Sequence, residues 1–222
     1  MNKMQLIGKK YKTDKITHHK YHEIYPTYIE KFYEKSGGII EIGLEPKTGK
    51  ASLQMWLELF PNMHIYGLDR GTPDESTERY TILQCDQSNP DQLDNCVQKI
   101  KHPIYFINDD GSHLPEHQLL TFNKLFPLLE AGGVYIVEDI ETSYWTKHGL
   151  YGYETRYGKG HPKSIIEIFK QAIDGVNMEF SKSTDGQVQH QKEIASISFA
   201  KNCIVVIKRQ EEARQYRFQD HL

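Results

Sequence analysis

Acidic residues recur along the chain at the ends of short apolar runs. Carboxylates fall at the end of, or just after, each of five such runs: Glu41, Asp69, Asp86, Asp109–Asp110 and Glu138–Asp139. A single aspartate in such a position is common in turns. A set of five is harder to attribute to turns alone, and clustered carboxylates repel one another unless a cation or hydrogen-bond donors compensate. We therefore expect these acids to serve one binding site.

The last two positions predict a site for a hard cation. Asp110, Glu138 and Asp139 offer the oxygen ligands that Mg²⁺ or Mn²⁺ prefers. His113 follows Asp110 across a Gly-Ser turn, where an imidazole can act as a general base beside the metal. Two plainer interpretations stay open: His113 beside a helix N-terminus that only hydrogen-bonds the backbone, and a solvated strand end at the two later acids. His117 could pair with His113 on zinc, although no further nitrogen or sulfur ligand is evident.

The first three positions predict a nucleoside site. An acid after the second strand, here Asp69, is the usual acceptor for a pair of ribose hydroxyls, because a carboxylate takes two hydrogen bonds side by side. The loop Glu41–Gly49 lacks the GxGxxG pattern that cradles a pyrophosphate, but it keeps Gly43, where a backbone can approach a ligand. The loop weakly favours a nucleoside that carries no phosphate.

Short strands that alternate with amphipathic helices are expected to position these residues. The predicted strands are Ile39–Gly43, His64–Leu68, Tyr80–Leu83, Ile104–Ile107 and Val134–Val137, then Met178–Ser181, Ile194–Phe199 and Ile204–Ile207. The predicted helices are Tyr25–Phe32, Leu53–Phe60, Leu93–Ile100 after a cap at Asn89–Pro90, Pro115–Leu129 closed by Gly132–Gly133, and Ile165–Ala172, and Lys201–Asn202 suits a hairpin turn. Five β-α units predict an α/β fold with an open parallel sheet, whose ligand crevice lies beyond the carboxyl ends of the strands.

The composition excludes several classes of protein. The 222 residues suffice for one domain with a sizeable core. A net charge of −3 argues against a nucleic-acid binder, which needs clustered positive charge. The cysteines Cys85, Cys96 and Cys203 are widely spaced and suggest no disulfide framework. No apolar run has signal-peptide length, and none approaches about 20 residues, so we expect no membrane span and a cytoplasmic location.

Taken in order, the motifs of this chain resemble those of one known family. The segments that carry the resemblance are Tyr11–Lys15 with His18, Glu41–Gly43, Ser52–Trp56, Tyr66–Asp69, Cys85–Ser88, Asp109–His113 with His117–Gln118, and Glu138–Trp145. Over this part the chain resembles the sugar O-methyltransferases of macrolide biosynthesis, the macrocin and mycinamicin type. It is more loosely similar to cephalosporin hydroxylase-like proteins. Each segment alone is weak evidence, whereas the ordered set is specific.

The resemblance implies a fold and a set of site residues. The fold is a Rossmann-like class I methyltransferase, a three-layer α/β sandwich with a mostly parallel sheet and an antiparallel strand near its C-terminal end. Magnesium or manganese is held by Asp110, Glu138 and Asp139, with His113 as the catalytic base. The implied residues around S-adenosylmethionine are Thr13, Lys15, His18, Glu41, Gly43, Ser52, Asp69, Asp86, Gln87 and Asp109.

The activity that the resemblance implies is metal-dependent methyl transfer from S-adenosylmethionine to a hydroxyl of a sugar or glycosylated small molecule. Tyr144 and Trp145 are the candidate substrate residues. They open a polar loop that runs to Gly160 and also carries Tyr151, Tyr153 and Tyr157. Aromatic rings on such a loop could close as a lid over a sugar, or they could simply pack over the helices. We expect a homo-oligomer with no nucleic-acid partner.

We expect a single methyltransferase domain over residues 1–222. Residues 1–36 would cap the cofactor site, residues 37–210 would form the core, and residues 211–222 would be a charged tail. Three other functions stay open. A catechol-type O-methyltransferase shares the carboxylates but prefers a phenolic diol. A metal-dependent hydrolase would use the same acids without S-adenosylmethionine, and a non-catalytic module would only bind a nucleoside.

Overall fold

Short runs rich in β-branched and aromatic residues form the strands of one mixed sheet. The computed structural model describes residues 1–44, 50–145, 155–181 and 186–210. Its strands are β1 (Gly37–Ile42), β2 (Met63–Asp69), β3 (Glu75–Ser76), β4 (Tyr80–Gln84), β5 (Ile104–Asp109), β6 (Leu129–Glu138), β7 (Ile194–Ala200) and β8 (Cys203–Lys208). They lie in the order β3-β4-β2-β1-β5-β6-β8-β7.

The central strands of the sheet run parallel, and the last two strands reverse the direction. Strands β4, β2, β1, β5 and β6 pair in parallel. Strand β8 pairs antiparallel with both β6 and β7. This arrangement confirms the mostly parallel sheet with an antiparallel strand near its C-terminal end. The short β3, which pairs antiparallel with β4 at the opposite edge, is a feature that the sequence does not predict.

Helices flank the sheet and connect its strands. They are α1 (Lys3–Tyr11), α2 (Asp14–Thr17), α3 (Pro26–Ile29), α4 (Ala51–Leu59), α5 (Pro90–Lys99), α6 (Pro115–Leu125), α7 (Ile165–Gln171), α8 (Ile173–Val176) and α9 (Met178–Ser181). Asn89 caps α5 as expected, because its side chain accepts from the amides of Asp91 and Gln92 while Pro90 opens the helix. Within the four described ranges, no helix is both long and apolar enough to cross a membrane.

The central strands β1 and β5 are buried on both faces, which explains their largely apolar sequences. In β1, Ile40 and Ile42 contribute to the hydrophobic cluster on one face of the sheet. Ile39, which directly precedes Ile40, belongs to the cluster on the other face with Phe106 and Trp56. Because consecutive side chains of a strand point to opposite faces, both layers of helices are fixed by the same short segment.

The segment Met178–Ser181 forms helix α9, so the strand predicted there is wrong. The amides of Phe180 and Ser181 donate to the carbonyl of Asn177 at 2.9 and 3.0 Å. The side chain of Asn177 donates in turn to the carbonyl of Ile173 at 2.9 Å. Four residues are too few to separate a period of two from a helical period, and local hydrogen bonds decide the conformation.

The glycine pair Gly132–Gly133 lies inside β6 and does not end a helix as predicted. Helix α6 already ends at Leu125, and a 3₁₀ turn that contains Pro127 follows it. The pairing of β5 with β6 is irregular between Ile104 and Phe106. Gly132 opposes this irregular stretch with a φ of 74°, which glycine adopts without strain.

Three predicted features lie outside the described residues. They are the first loop at 45–49, most of the proposed lid at 146–154, and the charged tail at 211–222.

An aromatic cluster between α6, α7 and β6 anchors one layer of helices to the sheet. The ring of Phe122 is fully buried. It stacks on Phe126 at 4.7 Å between centroids and meets Tyr135 and Phe169 edge-on at 4.9 and 5.0 Å. Such contacts add to the free energy of burying the ring itself.

Truncation of Phe122 tests whether this cluster carries much of the stability. Phe122→Ala is expected to lower the free energy of unfolding by about 3–5 kcal/mol, since the substitution leaves a cavity in a packed core. Phe199→Ala is the control, because that ring is 46% exposed on β7, and it should cost about 0.5 kcal/mol or less. Urea unfolding followed by circular dichroism measures both, and equal losses in the two variants would contradict the assignment.

Candidate active site

The carboxyl ends of the parallel strands open onto one cleft. Strand register places Ile42 beside Leu68 and Asp109, so the residues that follow β1, β2 and β5 are neighbours. The cleft has a volume of about 940 Å³. Its lining residues are Asp14, His18, His19, Gly43, Asp69, Asp110, Gly111, His113, Asp139, Glu141, Trp145, Lys201 and Asn202. Acids from the ends of β2, β5 and β6 thus share one cavity.

Asp110, His113 and Asp139 form a cluster that has the geometry of a cation site. One ligand atom from each of the three side chains lies within 4.8 Å of the others. His113 Nε2 is 3.7 Å from Asp139 Oδ2. Both residues adopt left-handed backbone angles, with φ of 57° for His113 and 50° for Asp139. Non-glycine residues with such angles are concentrated at functional sites, because the surrounding structure must impose the strain.

Asp139 is held in place from the side of the cleft that faces the N-terminal segment. Its Oδ1 accepts hydrogen bonds from the Tyr21 hydroxyl at 3.0 Å and from Asn202 Nδ2 at 2.8 Å. His19 Nδ1 lies 3.5 Å from the same oxygen. Burial and the nearby Asp110 raise the pKa of Asp139, whereas the two histidines lower it. One carboxylate oxygen is therefore fixed by the protein while the other faces His113.

Lys15 forms a second, inner layer beneath this cluster. Its side chain is fully buried. Nζ donates to Asp110 Oδ2 at 2.5 Å and to both Glu138 oxygens at 3.0 Å, and it lies 3.7 Å from Glu41 Oε1. Burial alone lowers the pKa of Lys15, but the carboxylates overcome this effect and raise the pKa well above its ordinary value. The ammonium is thus a permanent positive charge under the cleft.

Glu138 belongs to the inner layer and not to the lining of the cleft. Besides Lys15, the Tyr25 hydroxyl donates to its Oε1 at 2.5 Å. Gln118 Nε2 donates to its backbone carbonyl at 2.9 Å. Burial raises the pKa of Glu138 well above the ordinary range, and Asp110 adds to the increase. The three predicted metal ligands therefore differ in position. Asp110 and Asp139 line the cleft, whereas Glu138 does not and contacts Lys15.

Glu41 is the third carboxylate of the inner layer. Its side chain is fully buried, and burial raises its pKa to about 7 against the opposing effect of Lys15. Neither Glu41 nor Lys15 is among the residues that line the cleft. The family resemblance implies that both bind the cofactor. Both residues lie outside the lining of the cleft, and their contact with the cofactor stays a prediction.

Asp69, at the end of β2, keeps its charge on the opposite wall of the cleft. Its Oδ1 accepts from the Gly71 amide and the Thr72 hydroxyl, each at 2.8 Å, and its Oδ2 accepts from the Leu44 amide at 3.0 Å. Burial tends to raise the pKa of Asp69, but these hydrogen bonds outweigh it and lower the pKa. An ionised carboxylate at this point can accept hydroxyl donors from a ligand.

The other residues predicted around the cofactor differ in whether they line a cavity. Thr13 and Ser52 line a smaller cavity of about 90 Å³, which shares Gly43 and Asp110 with the main cleft. Gln87 lines neither cavity. Its Nε2 donates to Asp109 Oδ1 at 2.7 Å, and its Oε1 accepts from the Ser112 amide at 2.8 Å. This bridge orders the loop after β5. Asp109 itself is fully buried, and Asp86 is outside both sets of lining residues.

The two candidate substrate residues differ in position. Trp145 lines the cleft. Tyr144 does not, and its side chain is 52% exposed.

Sequence reasoning missed His19, Tyr21 and Asn202, all of which contact Asp139. The sequence indicates Asn202 only as a turn residue of the last hairpin. Strand pairing explains its position, because β8 runs antiparallel to β6 and sets Cys203 opposite Glu138. The sequence could therefore have indicated the position of Asn202, because an antiparallel last strand must begin at the edge where the parallel strands end.

Comparison with known proteins identifies relatives of this chain. No protein-family model matches it. It is 32% identical to the 8-demethyl-8-alpha-L-rhamnosyl tetracenomycin-C 2'-O-methyltransferase of Streptomyces olivaceus, over 89% of this chain and 52% of the relative. It is 31% identical to the mycinamicin VI 2''-O-methyltransferase of Micromonospora griseorubida, over 76% of this chain and 39% of the relative. In sequence the chain is therefore similar to sugar O-methyltransferases of the macrocin and mycinamicin type. It spans about half the length of the first of these relatives.

Structural comparison agrees with this relationship. The MycE methyltransferase of the mycinamycin pathway, in complex with Mg and SAH, superposes with a TM-score of 0.81 at 24% identity, over 99% of this chain and 58% of MycE. A second MycE structure, with Mg, SAH and mycinamycin VI, gives a TM-score of 0.78 at 25% identity, over 96% of this chain and 56% of MycE. The chain therefore has the methyltransferase Rossmann-like fold of MycE.

Gly43 permits the close approach of two loops at the centre of the site. It has a φ of 84°, and a Cβ built on it would lie 2.1 Å from the carbonyl oxygen of Asp110. A side chain at this position has to displace the loop that carries Asp110. Gly160 offers a matched comparison, since its φ of 76° is similar but a Cβ added to it would have no described atom within 4 Å.

Replacement of these two glycines separates backbone strain from steric clash. Gly160→Ala should lower the free energy of unfolding by roughly 1–2 kcal/mol, which is the penalty for a left-handed backbone at a residue with a side chain. Gly43→Ala should lower the free energy of unfolding by about 1–3 kcal/mol more than Gly160→Ala does, because its methyl group would enter space that the Asp110 loop already fills. Urea unfolding of both variants measures the difference. If the two losses are the same, the loops do not make the contact described here.

Proposed function

We propose that this chain is an S-adenosylmethionine- and magnesium-dependent O-methyltransferase that acts on a sugar hydroxyl of a glycosylated small molecule. The observation that carries the proposal is the meeting of Asp110, His113 and Asp139 in the same cleft as an ionised Asp69. The relatives named above act on a rhamnosyl tetracenomycin and on mycinamicin VI. The MycE structures contain Mg and SAH.

The donor set suits a hard divalent cation. Asp110 and Asp139 supply carboxylate oxygens, which Mg²⁺ and Mn²⁺ prefer, and His113 lies beside them as the proposed base. The pKa of Asp139 is raised by burial and by Asp110, so the two acids destabilise each other's charge. A divalent ion between them would remove this repulsion. Glu138 would join the ligand set only by exchanging its bonds with Lys15.

The wall around Asp69 suits a nucleoside. The carboxylate is kept ionised by the Leu44 and Gly71 amides and can accept a pair of ribose hydroxyls. Gly43 lines the cleft and presents its backbone there to a ligand. Thr13 and Ser52 line the adjoining small cavity, where the amino-acid end of the cofactor would bind.

Each residue of the cleft has its own role in the proposed methyl transfer. A bound cation lowers the pKa of a hydroxyl that it contacts, and a bound sulfonium donor supplies an activated methyl group. His113 Nε2 would take the proton of the acceptor hydroxyl as its oxygen bonds to the methyl carbon, while the bond from that carbon to the donor sulfur breaks and leaves a neutral thioether. Asp139 Oδ2, 3.7 Å away, stabilises the imidazolium that forms. Trp145, in the same lining, offers a flat ring against which a sugar can stack.

Several finer predictions remain proposals that rest on the family relationship. They include the homo-oligomer, the cytoplasmic location, and a lid formed by the segment after Trp145, most of which lies outside the described residues.

A transfer assay tests the proposed function. The purified chain is incubated with methyl-labelled S-adenosylmethionine, Mg²⁺ and a panel of rhamnosides, free sugars and catechols. We expect label in glycosides, its loss with EDTA, and a turnover about 10²–10⁴-fold lower in His113→Ala, because a positioned base contributes that much. His190→Ala is the control, since that histidine pairs with Glu193 and does not line the cleft.

The outcomes separate the competing functions. Label in catechols alone would favour the phenolic alternative. Transfer that persists at full rate in EDTA would remove the metal from the mechanism. Parent-like turnover in His113→Ala would remove the assigned base. Hydrolysis of the glycosides without any need for S-adenosylmethionine would favour the hydrolase.

The affinity for the cofactor product tests the nucleoside wall separately. Asp69→Asn should weaken binding of S-adenosylhomocysteine by about 1.5–3 kcal/mol, because charge-assisted hydrogen bonds to ribose would be lost. Asp74→Asn is the control, since that exposed carboxylate accepts from the Gln84 amide and faces Lys99. Isothermal titration calorimetry gives both dissociation constants. An unchanged value in Asp69→Asn would show that the ribose assignment is wrong.

A further inference from the structure

Two charged side chains that line the cleft differ from the others in their bonding. Glu141 lies in the short 3₁₀ turn after β6, and Lys201 lies in the turn between β7 and β8. Both belong to the lining of the cleft. Across the four described ranges, neither side chain takes part in a hydrogen bond or an ion pair. The acid Asp69 on the opposite wall, by contrast, accepts from its own loop.

The carboxylate of Glu141 is short of a donor. Its Oε2 is shielded from solvent, yet it accepts no hydrogen bond from any residue that the structure describes. Such an oxygen has lost its water without a replacement, and this costs free energy. Lys201 is exposed, and its long stem lets the ammonium turn towards a molecule in the cleft. A ligand that both donates and accepts hydrogen bonds would satisfy the two residues together.

Asn202 joins these two residues into one wall. Its Oδ1 accepts from the backbone amide of Glu141 at 3.0 Å, and Lys201 directly precedes it in the chain. Trp145 follows the same 3₁₀ turn as Glu141 and also lines the cleft. We call Glu141, Trp145, Lys201 and Asn202 the β6–β8 wall. It combines an acceptor, a donor and a flat ring.

The order of the strands sets this wall apart from the nucleoside wall. Along the carboxyl edge of the sheet the strands follow the order β2, β1, β5, β6 and β8. Asp69 ends β2, Asp110 and Asp139 follow β5 and β6, and Lys201 precedes β8. The cluster of Asp110, His113 and Asp139 therefore lies between the two walls. A methyl donor on one wall and an acceptor on the other would meet at this cluster, which favours a reactive orientation.

We propose that Glu141 and Lys201 recognise the hydroxyls of the acceptor sugar that neighbour the reacting one. A sugar hydroxyl both donates and accepts, so one can donate to the Glu141 carboxylate while another accepts from Lys201 Nζ. Trp145 covers the apolar face of the same ring. The preferred acceptor is a neutral sugar that keeps free hydroxyls beside the position of methylation. This inference rests on the proposed methyl transfer and deepens it.

The first experiment separates acceptor binding from the chemical step. Glu141→Gln keeps the shape of the side chain and removes its charge, and Lys201→Met removes the ammonium. At saturating Mg²⁺, each variant should raise KM for the acceptor by about tenfold and change kcat by less than about threefold, because the contacts are alike in the ground and transition states. The acceptor is the rhamnoside that the parent chain methylates fastest, beginning with methyl rhamnoside.

Affinity for S-adenosylhomocysteine shows whether the variants act locally. It should stay within about twofold of the parent in both, since the β6–β8 wall lies apart from Asp69. The matched controls are Glu130→Gln at the start of β6 and Lys192→Met before β7. Both are exposed residues of the same types outside the lining of the cleft. The controls should match the parent in KM and kcat.

Analogues of the acceptor that each lack one hydroxyl assign the contacts. Loss of the hydroxyl that Glu141 binds should raise KM of the parent chain by about tenfold. Glu141→Gln should then add no further loss with that analogue, because the interaction is already absent. Lys201→Met should show the same behaviour with an analogue that lacks a different hydroxyl.

Three results would overturn the inference. The first is a parent-like KM in either variant. The second is a loss that adds in full to that of every deoxy analogue, since neither residue would then contact a hydroxyl. The third is an equal fall in affinity for S-adenosylhomocysteine and for the acceptor, which a purely structural role would produce. A parent chain that methylates no glycoside would contradict the proposed function itself, and the inference would fall with it.

Discussion

Carboxylates crowd the carboxyl edge of this sheet, and the ammonium of Lys15 is the interaction that lets them do so. Glu41, Asp110 and Glu138 all lie within 3.7 Å of its Nζ. An unpaired buried carboxylate or ammonium costs several kcal/mol, so each member of the group depends on the others. The network also joins helix α2 to the ends of β1, β5 and β6. The geometry of the cleft is therefore set by a charge that does not line it.

The site has two layers with different tasks. The inner layer, built around Lys15 and Glu138 with the hydroxyl of Tyr25, is closed to water and fixes positions. The outer layer of His113 and Asp139 faces the cleft and, with Asp110, forms the cluster that could hold a cation. This separation lets a protein gather several acids without losing its fold, because Lys15 and hydrogen-bond donors such as Tyr25 already compensate part of the supporting charge before any ligand arrives.

Local signals in the sequence were sufficient for the sheet and for much of the outer layer. Apolar runs located the parallel strands, and acids at strand ends located Asp110 and Asp139, because strand ends and their following residues are neighbours in the chain. The roles of Lys15 and Asn202 could not be read in this way, since Lys15 lies 123 residues from Glu138 in the chain and Asn202 reaches the site through strand pairing. The strand prediction for residues 178–181 was wrong because the pattern of four residues is too short to distinguish a helix from a strand.

The most direct test of the account is the location of the metal. Crystals of the parent chain grown with Mn²⁺ and S-adenosylhomocysteine would be measured by anomalous diffraction at the manganese edge. The account predicts one strong peak in the cleft, within about 2.3 Å of carboxylate oxygens of both Asp110 and Asp139, which is the range for oxygen coordination. A peak remote from these aspartates, or no ordered Mn²⁺ in the cleft at all, would contradict it.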